Sequence, residues 1–423
     1  MIQSRKLPPL PAATSSGSSS KQGSSTSRKS TQMSLSPHWT EKERKKERQP
    51  TPTPTIGATK MNRAQLVEGG VLPLLVRCMD RGESPQLQEA SAWVITNIAS
   101  GRSEHTQAVV DAGAVGVLVG LVSTGSGDVR EQAVWALGNI VGDGARCRDV
   151  VLKQGVIPPL VDLLHVNVST SLRRQVCWVL TNLLRVRGAR LTDQQRAQCA
   201  EAFLVLVASL HPEVQADALW GAAYLADLGP EGVDSVLEAG LVREVVQRLY
   251  SDEERVVAAA LRATGSIAAG TNEQTEALLQ AGAVPIYRDL LQHPSPGVAR
   301  EAAWILSNVT AGTPAQIQTA MDVQVVPALI AAVEEATWLA GSGLVPCLAR
   351  LLQGEDAGML LVALDALNNL FKKSPERRRL TQGVESSGGL ERLRALKQHK
   401  VAQVARMSNY LLTTYLWEGS QGE

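Results

Sequence analysis

Between about residue 62 and residue 415 the apolar positions recur with a helical period, and the whole pattern then recurs as a longer block. In EQAVWALGNIVG, Glu131 to Gly142, the residues Val134, Leu137 and Val141 make one apolar stripe flanked by Ala133 and Ile140, the spacing of an amphipathic helix. The next block predicts three helices in succession. CRDVVLKQ runs up to Gly155, IPPLVDLLH opens with prolines where a first turn needs no N–H, and SLRRQVCWVLTNLLR is a longer third helix. Gly70, Gly113, Gly240 and Gly282, with Pro73 and Pro285, punctuate the other blocks in the same way. Tryptophan measures the block length: Trp93, Trp135, Trp178 and Trp220 stand 42, 43 and 42 residues apart, and two more steps of 42 reach Arg262 and Trp304.

A period of about 40 to 47 residues marks a helical solenoid of the armadillo or HEAT type, and three helices per unit favour armadillo. The expected fold is all-α: a right-handed superhelical solenoid of three-helix repeats of about 42 residues over 62–423. Two irregularities stand out. The first repeat shows only its last helices, QLVEGGVLPLLVRCM and QLQEASAWVITNIA. Further on, Asp365 in LDALNNL lies 61 residues after Trp304, where two steps of 42 need 84, so a repeat near 331–345, around Glu335, Trp338 and Ser342, is shortened.

Trp135 lies roughly 200° around its helix from Leu137, at about 100° per residue, so it cannot share the buried stripe. It should face the concave side of the array, with Asn139 one turn along on the same face. The pair recurs as Trp93/Asn97, Trp178/Asn182 and Trp304/Asn308, a ladder of identical sockets. Parallel exposed indoles leave slots for an alkyl stem, and their π faces attract a terminal cation. An asparagine amide, donor and acceptor at once, can hold the backbone of an extended peptide. Asp143, at the carboxyl end of the Trp135 helix, adds a charge that favours lysine.

Composition changes the picture in one respect. Residues 1–60 hold 11 Lys/Arg against 3 Glu, while the remainder carries 31 Lys/Arg against 38 Asp/Glu, so a basic tail precedes an acidic body. The tail, 1–61, is rich in Ser, Thr and Pro and is expected to be disordered. No apolar run has the length of a membrane span, and no secretory signal opens the chain, so a cytosolic or nuclear protein is expected. The five cysteines (Cys78, Cys147, Cys177, Cys199, Cys347) and six histidines show no metal-ligand spacing. STGSGDV lacks the strand and lysine of a phosphate loop.

The segments EASAWVITNIASGRSEHTQAVVDAGAV, EQAVWALGNIVGDGARCRDVV, ALRATGSIAAGTNEQTEALL and EAAWILSNVTAGTPAQIQ resemble the importin-α family of nuclear import adaptors over about residues 66–415. The resemblance implies a major signal-binding site of Trp93, Asn97, Gly101, Thr106, Gln132, Trp135, Asn139, Asp143, Trp178 and Asn182, with Asp143, Gly101 and Thr106 receiving a key lysine. It implies a minor site of Tyr224, Arg262, Thr275, Glu301, Trp304 and Asn308, where Asn272 and Ser266 depart from the family's usual acid and asparagine. The family's arginine-rich importin-β-binding segment is not recognisable in residues 1–60, and the C-terminal part is less acidic than an export-receptor site implies. Lys45-Lys46-Glu47-Arg48 fits the K-K-x-R pattern that such a groove selects, so an autoinhibitory segment of Arg44, Lys45, Lys46 and Arg48 is expected there.

Two functions from different classes follow. One is a nuclear import adaptor, shuttling between cytoplasm and nucleus, that carries Lys/Arg-rich localisation signals and engages an importin-β-type carrier and an export receptor. The other is an armadillo scaffold outside transport, binding acidic or phosphorylated partners through a basic groove. Asp143, Glu131 and Glu301 favour basic ligands, hence the first. No nucleophile–base pair or metal cluster suggests an enzyme, and no cofactor, direct nucleic-acid or membrane contact is expected.

Overall fold

The computed structural model describes residues 63–81, 84–186, 188–325, 328–329, 344–354, 357–373 and 377–416. The basic tail with Arg44, Lys45, Lys46 and Arg48, and the centre of the shortened repeat with Trp338, lie outside the described residues. Among those described every regular element is helical. They divide into two compact units, one ending at Ala263 and the other starting at Thr264.

The first unit opens with a short α1 (Arg63–Glu68), then α2 (Leu72–Arg81) and α3 (Pro85–Ala99), which complete the first repeat. The second repeat is α4 (Ser103–Asp111), α5 (Ala114–Thr124) and α6 (Gly127–Gly142), and the third is α7 (Ala145–Lys153), α8 (Ile157–Asp162) and α9 (Thr170–Arg185). The fourth departs from the expected three helices and has two, α10 (Asp193–Val207) and α11 (Pro212–Ala226). Its sequence explains the difference. Thr192 and Gln195 close a capping box, and no glycine or proline interrupts the following 15 residues, so one helix replaces two. The fifth repeat comprises α12 (Pro230–Glu238), α13 (Leu241–Gln247) and α14 (Glu254–Ala268), and the division between the units falls inside α14.

Long third helices pack on one another in sequence, α3 on α6, α6 on α9 and α9 on α11. The stripe expected for α6 is the packing face: Val134, Leu137, Ile140 and Val141 are fully buried, each contributing about 1.5–3 kcal/mol. Gly113 turns the chain between α4 and α5 at φ 79°, in the left-handed region that side chains other than glycine rarely adopt, and Gly282 repeats the device at φ 78° in the second unit. Arginines close helix ends. Arg63 Nε donates to the Asn97 carbonyl at 2.6 Å, and Arg248 Nη2 to the Val207 carbonyl at 3.1 Å, placing cations where the last carbonyls lack partners.

The second unit continues with α15 (Asn272–Gln280), α16 (Ala283–Leu290) and α17 (Pro296–Val309), then α18 (Pro314–Asp322). After the undescribed stretch come α19 (Leu344–Leu351), α20 (Ala357–Lys373), α21 (Arg377–Ser386), α22 (Gly389–Leu396) and α23 (Ala402–Tyr415). Phe371 on α20 stacks on Tyr415 of α23 with centroids 5.0 Å apart and planes within 8°, tying the last repeat to the one before.

A candidate peptide-binding ladder

In the first unit, α3, α6 and α9 place Trp93, Trp135 and Trp178 in the same position of successive repeats. All three indoles are half-buried, whereas the stripe residues beside them are fully buried. Glycine seats one of them. A Cβ added at Gly138 of α6 would lie 1.9 Å from Trp178 Cζ3, so the ring rests directly on the backbone of the preceding repeat. Farther along, Trp220 is followed by Tyr224, the rings 6.0 Å apart and tilted by 31°.

The asparagines sit deeper than an open clamp requires. Asn97, Asn139 and Asn182 are all buried. Asn97 Nδ2 donates to the Trp93 carbonyl at 2.9 Å, Asn139 Nδ2 donates to the Thr96 carbonyl of the preceding repeat at 3.2 Å, and Asn182 Oδ1 accepts from Arg185 Nε at 3.1 Å. The Thr96 hydroxyl returns across the same seam to the Gln132 carbonyl at 3.1 Å. Of the three, Asn139 is the one that joins repeats, whereas Asn97 and Asn182 bond within their own helices. Asn139 Oδ1, Gln132 Oε1 and Trp93 Nε1 are buried atoms with no hydrogen-bond partner among the described residues. Leaving such a group unmet costs about 1–3 kcal/mol, and these three lie on one pair of adjacent helices, α3 and α6.

Asp143 caps the carboxyl end of α6, where the helix dipole already carries partial negative charge. The Ser103 hydroxyl donates to its Oδ2 at 2.6 Å, and the Cys147 thiol lies 3.8 Å from the same oxygen. Thr106 is fully buried and donates to the Ala99 carbonyl at 3.0 Å, while Gly101 is half-buried at the end of α3. The carboxylate therefore stands partly exposed, beside a carbonyl-rich helix end. Glu131 accepts from the Ser169 hydroxyl at 2.7 Å.

The residues of the second set differ. Tyr224 is half-buried, and Arg262 is buried in the first unit against Asp227 Oδ2 at 2.6 Å, its charge already matched. In the second unit Trp304 is only 1% exposed, which corrects the expectation of a solvent-facing indole. Gly265 admits its inner edge: a Cβ there would meet Trp304 Cζ3 at 2.5 Å. Asn308 is fully buried with both amide atoms unpartnered among the described residues, Thr275 is buried with its hydroxyl on the Thr271 carbonyl at 2.9 Å, and Glu301 is half-buried.

Comparison with known proteins settles the family. A profile of the armadillo/beta-catenin-like repeat matches residues 59–100, 102–142, 144–185 and 271–311. Importin subunit alpha-1b of Oryza sativa subsp. japonica is 32% identical over 387 residues, covering 84% of this chain and 72% of that protein. The chain belongs to the importin-α family. Importin subunit alpha-5 of Arabidopsis thaliana is likewise 32% identical over 381 residues, covering 83% and 73%, whereas the match to Oryza importin subunit alpha-1a, at 36% identity, covers 63% of this chain and 51% of that one. The crystal structure of an engineered protein superposes with a TM-score of 0.60 at 25% identity over 84% of this chain and 91% of its own, and a second engineered protein with 0.51 at 27% over 57% and 99%. This importin-α chain therefore has the all-α armadillo fold and shares its architecture with those two engineered proteins.

Sequence reasoning missed three contributors: Gly138 as the seat of Trp178, Ser103 as the partner of Asp143, and Thr96 as the link to Asn139. Each acts on a residue about 40 positions away, and the constant repeat spacing is the signal that would have paired them. Among the described residues no single helix is long and apolar enough to cross a membrane, and no group of three or more His, Cys, Asp or Glu is arranged to hold a metal.

Proposed function

We propose that this chain is a nuclear import adaptor whose ladder on α3, α6 and α9 binds Lys/Arg-rich localisation signals as extended peptides. The observation that carries this reading is the pairing of three half-buried indoles with the unpartnered Asn139 Oδ1, Gln132 Oε1 and Trp93 Nε1. Peptide N–H and carbonyl groups satisfy those atoms whatever the sequence, and the indole slots choose long cationic side chains. Asp143 fixes the lysine position. The adaptor has no catalytic step. It moves between cytoplasm and nucleus by linking cargo to an importin-β-type carrier and returning with an export receptor; the named importin α relatives support the adaptor assignment. Partly exposed acids in the ladder disfavour an acid-binding scaffold.

The test is fluorescence anisotropy with a labelled lysine-rich signal peptide and the full chain. Asp143→Lys reverses the charge beside the bound ammonium. Because Asp143 is only half-buried, the lower end of the usual range applies, about 2 kcal/mol or roughly thirty-fold in affinity. Equal affinity for both proteins would remove Asp143 from the site.

A further inference from the structure

From the second repeat to the sixth, the residue six positions before the ladder position is apolar and buried. Val129, Leu172, Val214, Val256 and Val298 are between 0% and 4% exposed. In the first repeat the same position is Leu87, which is 47% exposed, and Leu74 on the neighbouring α2 is 53% exposed. Between them α2 and α3 leave an open cavity of about 270 Å³ lined by Leu74, Arg77, Cys78, Arg81 and Leu87. A face built for stacking is thus bare at the start of the described array, and terminal repeats ordinarily turn a polar face outward.

We propose that this groove docks an acidic amphipathic helix of a partner protein, seated where the long helix of a preceding repeat would stack. The lining carries two cations and no anion, and Arg77 forms no ion pair among the described residues. Leu74 and Leu87 supply anchors for apolar side chains one helical turn apart, while carboxylates along the helix flanks meet Arg77 and Arg81. Charge excludes the nearer occupants. Residues 1–60 hold 11 Lys/Arg against 3 Glu, the wrong sign for this lining, and a second copy docked face to face would set Arg77 and Arg81 against their own equivalents. An apolar floor of two leucines gives no stacking surface for a nucleic-acid base. This inference stands independently of the ladder, which lies on a different set of side chains.

The probe is a fluorescein-labelled, helix-stabilised 16-residue peptide with Leu at i, i+3, i+4 and i+7 and Glu on both flanks, titrated into the full chain beside a twin in which every Glu is Gln. The expected result is binding of the Glu peptide, at least ten-fold weaker binding of the Gln twin, and loss of the difference in Arg77→Gln/Arg81→Gln. Binding also shields Cys78 from maleimide, a readout that needs no variant. Equal affinities for the two peptides, or unchanged affinity in Leu87→Glu, overturn the proposal. So does a dimer in analytical ultracentrifugation that Leu87→Glu dissociates, which assigns the face to a second copy, or Cys78 labelling that rises when residues 1–60 are removed, which assigns it to the tail.

Discussion

Two glycine-to-alanine changes, in neighbouring helices of one repeat, should act in opposite directions. Gly120 lies inside α5, and a Cβ placed there meets nothing within 4 Å. Alanine at that position should stabilise by about 1 kcal/mol, because glycine loses more backbone freedom in a helix interior. Gly138 lies inside α6 with the same intrinsic gain on offer. There, however, the new Cβ would stand 1.9 Å from Trp178 Cζ3, with Cε3 and Cη2 at 2.5 and 2.6 Å. The obstacle is the rigid side of an indole, so the ring must move by something near 1.5 Å to restore carbon–carbon contact. Such overpacking costs about 1–3 kcal/mol, which meets or exceeds the helix gain.

Thermal midpoints of the wild type, Gly120→Ala and Gly138→Ala, followed by far-ultraviolet circular dichroism, give the stability half of the comparison. Peptide anisotropy gives the other half. Gly138→Ala should lower the midpoint or leave it level and should weaken signal-peptide binding several-fold, since the slot beside Trp178 is reshaped. Gly120→Ala should raise the midpoint and leave affinity alone. A Gly138→Ala protein as stabilised as Gly120→Ala, with undiminished affinity, would show that the indole does not rest on α6 and would refute the seat as part of the ladder.

Replacing both Trp135 and Trp178 by alanine should reduce peptide affinity by one to two orders of magnitude, at about 0.5–2 kcal/mol per cation–π contact, while the helical signal at 20 °C persists; a collapsed spectrum would make them core residues instead. Burial pushes the Cys199 thiol up from 9.0 to about 12, so in the folded chain it stays protonated where the unfolded chain ionises. Its contribution is complete below pH 9 and is lost between pH 9 and 12, at about 1.4 kcal/mol per pH unit; burial also raises Cys177 and Tyr287, so Cys199→Ala should make the fall of stability across that window shallower in urea titrations without abolishing it. Deleting residues 1–61 should tighten peptide binding if Arg44, Lys45, Lys46 and Arg48 compete for the ladder at the roughly millimolar effective concentration of a short tether; identical affinities at one salt concentration would deny them that role.

The repeat and its ladder were legible because both rest on local geometry. Three-residue and four-residue spacings place Val134, Leu137 and Val141 on one face and Trp135 with Asn139 on another; Trp135 is half-buried where the stripe is fully buried, although Asn139 is fully buried too. The two-helix fourth repeat was also written in the chain, in Thr192, Gln195 and the unbroken helix after them, but the regular period invited a third helix. What local geometry cannot give is depth. Whether Asn139 clamps a ligand or a neighbour depends on how closely α3 and α6 stack, and the 3.2 Å bond to the Thr96 carbonyl is a product of that stacking. Trp304 shows the same limit: four residues before an asparagine like Trp135 and in the same repeat register, it is buried where Trp135 is half-buried.

The split role of Asn139 bears on how such a ladder reads a peptide. Its Nδ2 is committed to the preceding repeat, so Oδ1 is aimed by the seam between repeats and not by a freely turning side chain. Packed helices stand about 8–10 Å apart, and an extended peptide advances about 3.3 Å per residue, so one repeat spans two to three peptide residues. On the proposed function, α3, α6 and α9 then read about five to seven residues in all, with backbone contacts recurring at the repeat spacing and side chains entering the slots between indoles. Pinning the acceptor to the seam removes a rotamer that binding would otherwise have to freeze, about 0.5–1.5 kcal/mol for each immobilised side chain. On the proposed function, the Asn139 bond that at first looks like a purely structural link therefore also preorganises the ladder, so that peptide affinity and repeat packing would depend on the same side chain.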